Sequence, residues 1–172
     1  CLRTEQGQLA EGLALLKKAV KRPDTPSHEY STYLCNLAYQ TNLTPKEALA
    51  AHRLFDTRYA VTLGLGTGPH RNTPDPERPL TLGFVSPDFC AHSVSFFALP
   101  LIAGLTAQGV RVVCYSNTAH RDDMTEQLAA AASDWRDIRA LPDAVVVEQI
   151  RRDGIDVLID LAGHSADNRL LV

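Results

Sequence analysis

Two short polar segments of this 172-residue chain carry the side chains best suited to chemistry. Residues 86–94 read SPDFCAHSV and contain His92, and residues 160–169 read DLAGHSADNR and contain His164. Histidine exchanges protons readily near neutral pH. A serine follows each histidine directly, where a helix or turn could begin and offer backbone N–H groups to an anion. The pattern predicts proton transfer or anion binding at each segment; the alternative for either histidine is a helix cap or a surface residue.

The elements that must position these segments are predicted strands and helices that alternate along the chain. Apolar runs predict strands over residues 80–85, 110–116 and 155–163, and residues 135–138 predict a short edge-like strand. The segments between them predict helices over 93–108, 122–133 and 143–153. This alternation is typical of a parallel sheet with helices on both faces. Such sheets bind ligands beyond the carboxyl ends of their strands, where both polar segments are expected to lie.

The first sixty residues predict helices alone, over 7–21, 27–41 and from Thr44 to about residue 61. The third helix opens with a capping box in the sequence TPKE. Residues 63–79 hold three Gly and four Pro and predict a linker. Their GLGTG run follows a helix rather than a strand, which argues against a phosphate-binding loop. The predicted domains are therefore 1–62, the linker 63–79, and an α/β region over 80–172.

The overall composition excludes several classes of protein. The net charge of −3 lacks the basic excess typical of nucleic-acid binding. Four cysteines without a CxxC pair predict free thiols in a reducing compartment, consistent with a cytoplasmic protein. The most apolar stretch, residues 94–105, is far shorter than the roughly 20 residues that a membrane span needs. No carboxylate pair or histidine cluster has metal-ligand spacing, so no metal is expected.

The two polar segments lie within motifs that resemble a known family. Residues 82–97 (LGFVSPDFCAHSVSFF) resemble the opening of the catalytic region of O-GlcNAc transferase and SPINDLY type protein O-glycosyltransferases. Residues 155–170 (IDVLIDLAGHSADNRL) resemble the strand-plus-Gly-His motif of that family and are closer to its SPINDLY-like and bacterial members. Residues 7–24 resemble the second helix of a tetratricopeptide repeat, with Gly12 where the repeat normally has Ala.

The resemblance implies a fold and a reaction. The fold class is α + α/β: tetratricopeptide-like helices followed by a partial Rossmann-like parallel sheet, the N-terminal lobe of a GT-B glycosyltransferase. The reaction is transfer of GlcNAc or fucose, with inversion, from a nucleotide donor to Ser or Thr hydroxyls of a protein or peptide acceptor. UDP-GlcNAc or GDP-fucose is then a substrate, and no cofactor is expected. Most of the donor site is expected in a second lobe, so the chain is expected to be a piece of a longer enzyme.

The resemblance also assigns candidate site residues. The catalytic candidates are His92, His164 and Asp160, and the substrate-binding candidates are Ser86, Pro87, Asp88, Ser93, Gly163 and Asn168. His92 could accept the hydroxyl proton or hydrogen-bond the sugar or phosphate. Asp160 could orient an imidazole or cap the turn after its strand, and Asp88 could simply form an Asx turn.

Three alternatives accompany these assignments. Asn168 and Arg169 could contact substrate or start a helix. Separately, the side chains of Phe89, Phe96 and Phe97 are expected in the core. A non-catalytic helical-repeat adaptor with an α/β binding domain is the alternative function. A small nucleotide-binding α/β domain is disfavoured, because no nucleotide-binding motif follows a strand.

Overall fold

The computed structural model describes residues 2–64 and 68–172, which form two compact units. The helical unit contains the described residues up to Gly64 together with His164–Asp167 and Leu171. The α/β unit contains residues 68–163, residues 168–170 and Val172. Cys1, whose thiol is predicted to be free, and residues 65–67 of the predicted linker lie outside the described residues.

The helical unit begins with three helices: α1 (Leu2–Glu5), α2 (Leu9–Ala19) and α3 (Ser27–Leu37). The predicted third helix is present as α4 (Pro45–Phe55), and it continues through a π-helical segment (Asp56–Ala60) into α5 (Val61–Leu63). The predicted capping box forms at its start: Thr44 Oγ1 accepts the Glu47 N–H at 3.3 Å, and the Glu47 carboxylate accepts the Thr44 N–H at 3.0 Å. A side chain at Gly12 would clash with Thr4, so the glycine allows the close approach of α1 and α2.

The core of the helical unit centres on Tyr30, whose ring makes edge contacts with three other rings. Its centroid lies 5.8 Å from Tyr33, 5.9 Å from Phe55 and 5.8 Å from Tyr59. Burial raises the pKa of the Tyr30 hydroxyl, so the ring stays neutral. The packing ties α3 to α4 and the π-helical segment.

The α/β unit contains four parallel strands and three connecting helices, as the alternating pattern predicts. The strands are β1 (Thr81–Ser86), β2 (Arg111–Ser116), β3 (Asp134–Asp137) and β4 (Val157–Asp160). The helices are α6 (Ser93–Ala107), α7 (Asp123–Ala131) and α8 (Asp143–Arg152). The strand order is β3-β2-β1-β4. The chain therefore adds strands on one side of β1 and then reverses to place β4 on the other.

Both faces of this sheet are covered. Phe84 of β1 belongs to a buried cluster with Ile102 of α6 and Leu128 of α7. Its neighbour Val85 points to the opposite face and packs in a second cluster with Val146 of α8. This arrangement confirms the predicted sheet with helices on both faces.

One prediction about the core is wrong for two of three phenylalanines. Phe89 is fully buried, but Phe96 and Phe97 are 64% and 79% exposed. The inward positions of α6 are taken by Ser95, Ala98 and Ile102 at helical spacing, so the two phenylalanines point outward. Because α6 has no charged residue, its sequence does not reveal which side faces the core.

The second half of the predicted linker is fixed to the amino-terminal end of β4. The Asp156 carboxylate pairs with the Arg78 guanidinium, with one Nη1···Oδ2 distance of 2.8 Å, and accepts the Thr81 N–H at 2.8 Å and a bond from the Asn72 amide. These donors hold the pKa of Asp156 well below its usual range.

Among the described residues, no helix has the length and apolar character needed to cross a membrane.

Candidate functional site

The reversal of strand order makes the carboxyl ends of β1 and β4 the natural ligand crevice of the α/β unit. The two strands are direct neighbours, with Val85 opposite Asp160. The Leu161 N–H continues the ladder by donating to the Val85 carbonyl at 3.1 Å. In open α/β sheets ligands bind at such a switch point. The segments after β1 and β4 hold the predicted site residues, so sequence and topology identify the same edge.

The segment after β1 is held by hydrogen bonds from buried hydroxyls. Ser86 Oγ accepts the Asp88 N–H at 3.0 Å, and Ser95 Oγ donates to the Asp88 carbonyl at 2.6 Å. Ser86 and Ser95 are both fully buried. Pro87 between them is also buried, whereas Ser93 is exposed at the first position of α6. Ser86 and Pro87 thus shape the segment, and Ser93 is accessible to a ligand.

His92 is the N-cap of α6, and its side chain remains 46% exposed. Its Nδ1 accepts the Val94 N–H at 3.3 Å. Asp88 Oδ2 lies 3.8 Å from the same nitrogen. While Nδ1 accepts from Val94, the neutral ring carries its proton on Nε2 and is a donor there. Transfer of that proton to Nδ1, facing Asp88, would turn Nε2 into a base.

The segment after β4 opens with a turn that Asp160 caps. The Asp160 carboxylate accepts the Gly163 N–H at 2.5 Å, and Gly163 has a φ of 56°, where glycine avoids the strain of a side chain. Of the two roles considered for Asp160, turn capping is therefore present in the structure. Asp160 and Gly163 are both exposed.

Asn168 and Arg169 start no helix. Asn168 Oδ1 accepts the Leu170 N–H at 3.4 Å. The Arg169 guanidinium donates to the Leu141 carbonyl at 2.8 Å and pairs with Asp143 at 2.8 Å, with only 11% of its side chain exposed. Arg169 thus fixes the end of this segment to the α/β unit.

His164 belongs to the helical unit, whereas the other predicted site residues belong to the α/β unit. Its Nδ1 lies 3.1 Å from the Ser31 hydroxyl, and its ring centroid is 4.9 Å from Phe55 and 5.1 Å from His52. Burial, assisted by the charge of His52, lowers the pKa of His164 to about 4. The imidazole is therefore neutral at physiological pH.

Sequence reasoning missed Asp122 as a support of the His92 segment. Asp122 is the N-cap of α7, in a capping box with Thr125, and its Oδ2 accepts the Ala91 N–H at 2.7 Å. These backbone donors lower the pKa of the Asp122 carboxyl. The Thr125 hydroxyl also donates to the Phe89 carbonyl at 2.7 Å. The DDMT sequence signals a helix start, but not a contact with residues more than thirty positions earlier.

Within residues 2–64 and 68–172, no group of three or more His, Cys, Asp or Glu side chains has a geometry suited to a metal ion.

The fold and the switch-point site define the N-terminal lobe of a GT-B type glycosyltransferase, preceded by helices. A solved structure of a mutant of the Thermobaculum terrenum O-GlcNAc transferase superposes on 96% of this chain with a TM-score of 0.86 and 35% sequence identity. The match covers 32% of that chain.

Sequence comparison identifies the family. The model of glycosyl transferase family 41 matches residues 68–171, and the chain belongs to this family. Two curated proteins, each described as a probable UDP-N-acetylglucosamine–peptide N-acetylglucosaminyltransferase SPINDLY, are similar over 103 residues: 36% identical in Arabidopsis thaliana and 37% in Solanum lycopersicum. Each match covers 58% of this chain but 11% of the relative, so the chain spans about a tenth of the relatives' length.

Proposed function

We propose that this chain forms the first part of the catalytic region of a protein O-glycosyltransferase, with His92 in the reaction site. The observation that carries the proposal is that the exposed His92 lies at the switch point of a family 41 domain. Hydrogen bonds from Ser95 to Asp88 and from Ala91 to Asp122 hold the segment that carries it. The names of the relatives, a probable UDP-N-acetylglucosamine–peptide N-acetylglucosaminyltransferase and an O-GlcNAc transferase, support the same reaction class.

The proposed reaction transfers a sugar from a nucleotide donor to a Ser or Thr hydroxyl. The acceptor oxygen forms a bond to the anomeric carbon, and the bond from that carbon to the donor phosphate breaks. The nucleoside diphosphate leaves with the electron pair, and inversion requires the two oxygens to lie on opposite sides of the carbon. A hydroxyl is a weak nucleophile, so its proton must pass to an acceptor as the new bond forms.

His92 can serve this reaction in two ways, which differ in whether its Nδ1 carries a proton that faces Asp88. If Nδ1 carries a proton that faces Asp88, Nε2 takes the acceptor proton and Asp88 stabilises the resulting imidazolium. If Nδ1 keeps the Val94 N–H, the Nε2–H donates to a sugar or phosphate oxygen instead. We favour the first arrangement because the carboxylate is close enough to move into hydrogen-bond contact. Ser93, Gly163 and Asn168 are the proposed substrate contacts, supported by their position beside the switch point.

The decisive experiment measures transfer of radiolabelled sugar to protein by the intact protein that carries this chain. UDP-GlcNAc and GDP-fucose are supplied in separate reactions, and calorimetry against each donor measures binding independently of transfer. Transfer from either donor supports the proposal and identifies the sugar. Binding of neither donor, with retained binding of proteins, would instead support the adaptor.

His92 is tested by two substitutions in the intact protein. His92→Ala should lower kcat by about 10²–10⁴-fold if the imidazole moves a proton. Asp88→Asn should lower kcat and shift the acid limb of the pH profile if Asp88 stabilises the imidazolium. Unchanged kinetics for His92→Ala would remove this residue from the mechanism, whereas an unchanged pH profile for Asp88→Asn would favour the donor role.

A further inference from the structure

His164 occupies a small aromatic and polar pocket that the proposed transfer chemistry does not use. Ser31 reaches it from α3, and His52 and Phe55 reach it from α4. Ser31 is 2% exposed, so its hydroxyl depends on this partner within the protein. The residue that follows β4 by four positions is therefore held by the helical unit.

The pocket suits a neutral imidazole. His52 Nδ1 donates to the Ala48 carbonyl at 2.9 Å, which fixes the orientation of its ring beside His164. Among the described side chains that contact His164, only His52 carries an ionisable ring, because Ser31 and Phe55 have no charged form at these pH values. A proton on His164 would lose hydration and meet a second cationic ring when His52 is also protonated.

The surrounding chain makes this contact an anchor for a longer segment. The segment leaves the α/β unit at Gly163, contributes His164–Asp167 to the helical unit, and returns at Asn168. Before His164, the segment is held by the hydrogen bond from the Gly163 N–H to Asp160, and after Asp167 it is held by the hydrogen bond from Arg169 to the Leu141 carbonyl. Between these two points, His164 supplies the described ring contacts with the helices.

We propose that His164 is a positioning residue whose neutral imidazole anchors the segment after β4, and that protonation of His164 releases this anchor. The relevance of this anchor to catalysis rests on the proposed function, because Gly163, a proposed substrate contact, directly precedes His164 in the chain. The anchor itself is a property of the 172-residue chain and can be tested without a sugar donor.

The size and sign of the pH effect follow from linkage. The free imidazole has a pKa of 6.5 and the anchored one a pKa of about 4. Well above pH 6.5 both forms are neutral and the anchor is at full strength. As the pH falls from 6.5 toward 4, the released form binds a proton that the anchored form does not. The equilibrium constant for release should then rise roughly 20-fold between pH 7 and pH 5.

The test is an NMR titration of the 172-residue chain between about pH 7.5 and about pH 4. The imidazole of His164 and the amides of Gly163 and Ser165 should change together, with a midpoint well below 6.5, while core amides such as Val113 remain in place. His164→Phe keeps a planar ring and should abolish the transition. The matched control is His28→Gln, which removes an exposed imidazole from α3 and should change nothing.

A second variant covers the case in which His164→Phe does not fold. His52→Gln removes the neighbouring charge, so the midpoint of His164 should move upward, toward 6.5. The proposal is overturned if the Gly163 and Ser165 amides do not respond while His164 titrates, or if the same transition persists in His164→Phe. A failed transfer assay with an intact NMR transition would contradict the proposed function and leave the anchor standing.

Discussion

Gly83, in the middle of β1, offers a sharp test of the packing in the α/β unit. A Cβ atom at this position would lie 2.9 Å from Leu158 Cδ1, 3.0 Å from Ile155 Cγ2 and 3.2 Å from Tyr115 Cε2. Normal contacts between carbon atoms are about 3.5–4.0 Å. Gly83→Ala therefore forces three side chains on one face of the sheet to move, including the ring of the fully buried Tyr115.

The expected net destabilisation is about 1 kcal/mol. Overpacking of a filled core costs about 1–3 kcal/mol, and the lower half of this range applies because the most crowded atom is the terminal Cδ1 methyl of Leu158. Alanine recovers about 0.4–1 kcal/mol by restricting the unfolded chain. Gly104→Ala in α6 is the matched control, since nothing lies within 4 Å of its Cβ position. It should stabilise the unit by about 0.5–1 kcal/mol.

Trp135 makes the assay specific to the α/β unit, because it is the protein's single tryptophan and packs beside Phe89 at 5.4 Å. Urea unfolding followed by its fluorescence should move the midpoint down by roughly 0.3–1 M for Gly83→Ala and up for Gly104→Ala. The slope of the transition should stay the same for both. A Gly83→Ala protein as stable as Gly104→Ala would refute the argument that β1 has no room for a methyl group.

Three further predictions concern charge, the support of His92, and metal. Asp156→Ala should destabilise the α/β unit by about 1–3 kcal/mol, because its carboxylate is 7% exposed and its removal takes away an acceptor that Arg78, Asn72 and the Thr81 N–H share. Glu148→Ala, at an exposed position on α8, should have little effect in the same urea assay. Since the pKa of Asp156 is lowered in the folded protein, its contribution should be lost as the pH falls below about 4, which urea titrations at several pH values would reveal. Asp122→Ala should lower the Tm and increase hydrogen exchange at the Ala91 amide, and unchanged exchange would contradict its supporting role. Transfer by the intact protein should withstand EDTA, because the motifs have no metal-ligand spacing; loss of activity restored by a divalent metal would show otherwise.

The strands of the α/β unit and the start of α4 in the helical unit were predictable because their signals are local. Consecutive apolar residues in β1 and β2 indicate strands buried on both faces, and the sequence TPKE specifies the start of α4. The placement of polar segments at one sheet edge follows from parallel topology alone. That is why the position of His92 could be anticipated from the chain.

The remaining features depend on contacts between distant residues. The partner of His164 is Ser31, 133 positions earlier, and no periodicity links the two. The outward direction of Phe96 and Phe97 is decided by which neighbours α6 packs against, since the helix is apolar on every side. Likewise, the structural role of Arg169 becomes visible only once Leu141 and Asp143 lie beside it.

The separation of Ser31 and His164 also has a consequence for the order of folding. The contacts of α2, α3 and α4 join nearby parts of the chain, whereas the contact with His164 closes a loop of 133 residues. Loop closure of this length carries a large entropic cost and occurs after local structure has formed. We therefore expect Ser31→Ala to speed unfolding of the helical unit while leaving its refolding rate nearly unchanged. The contact between Ser31 and His164 would then form last during folding and break first during unfolding.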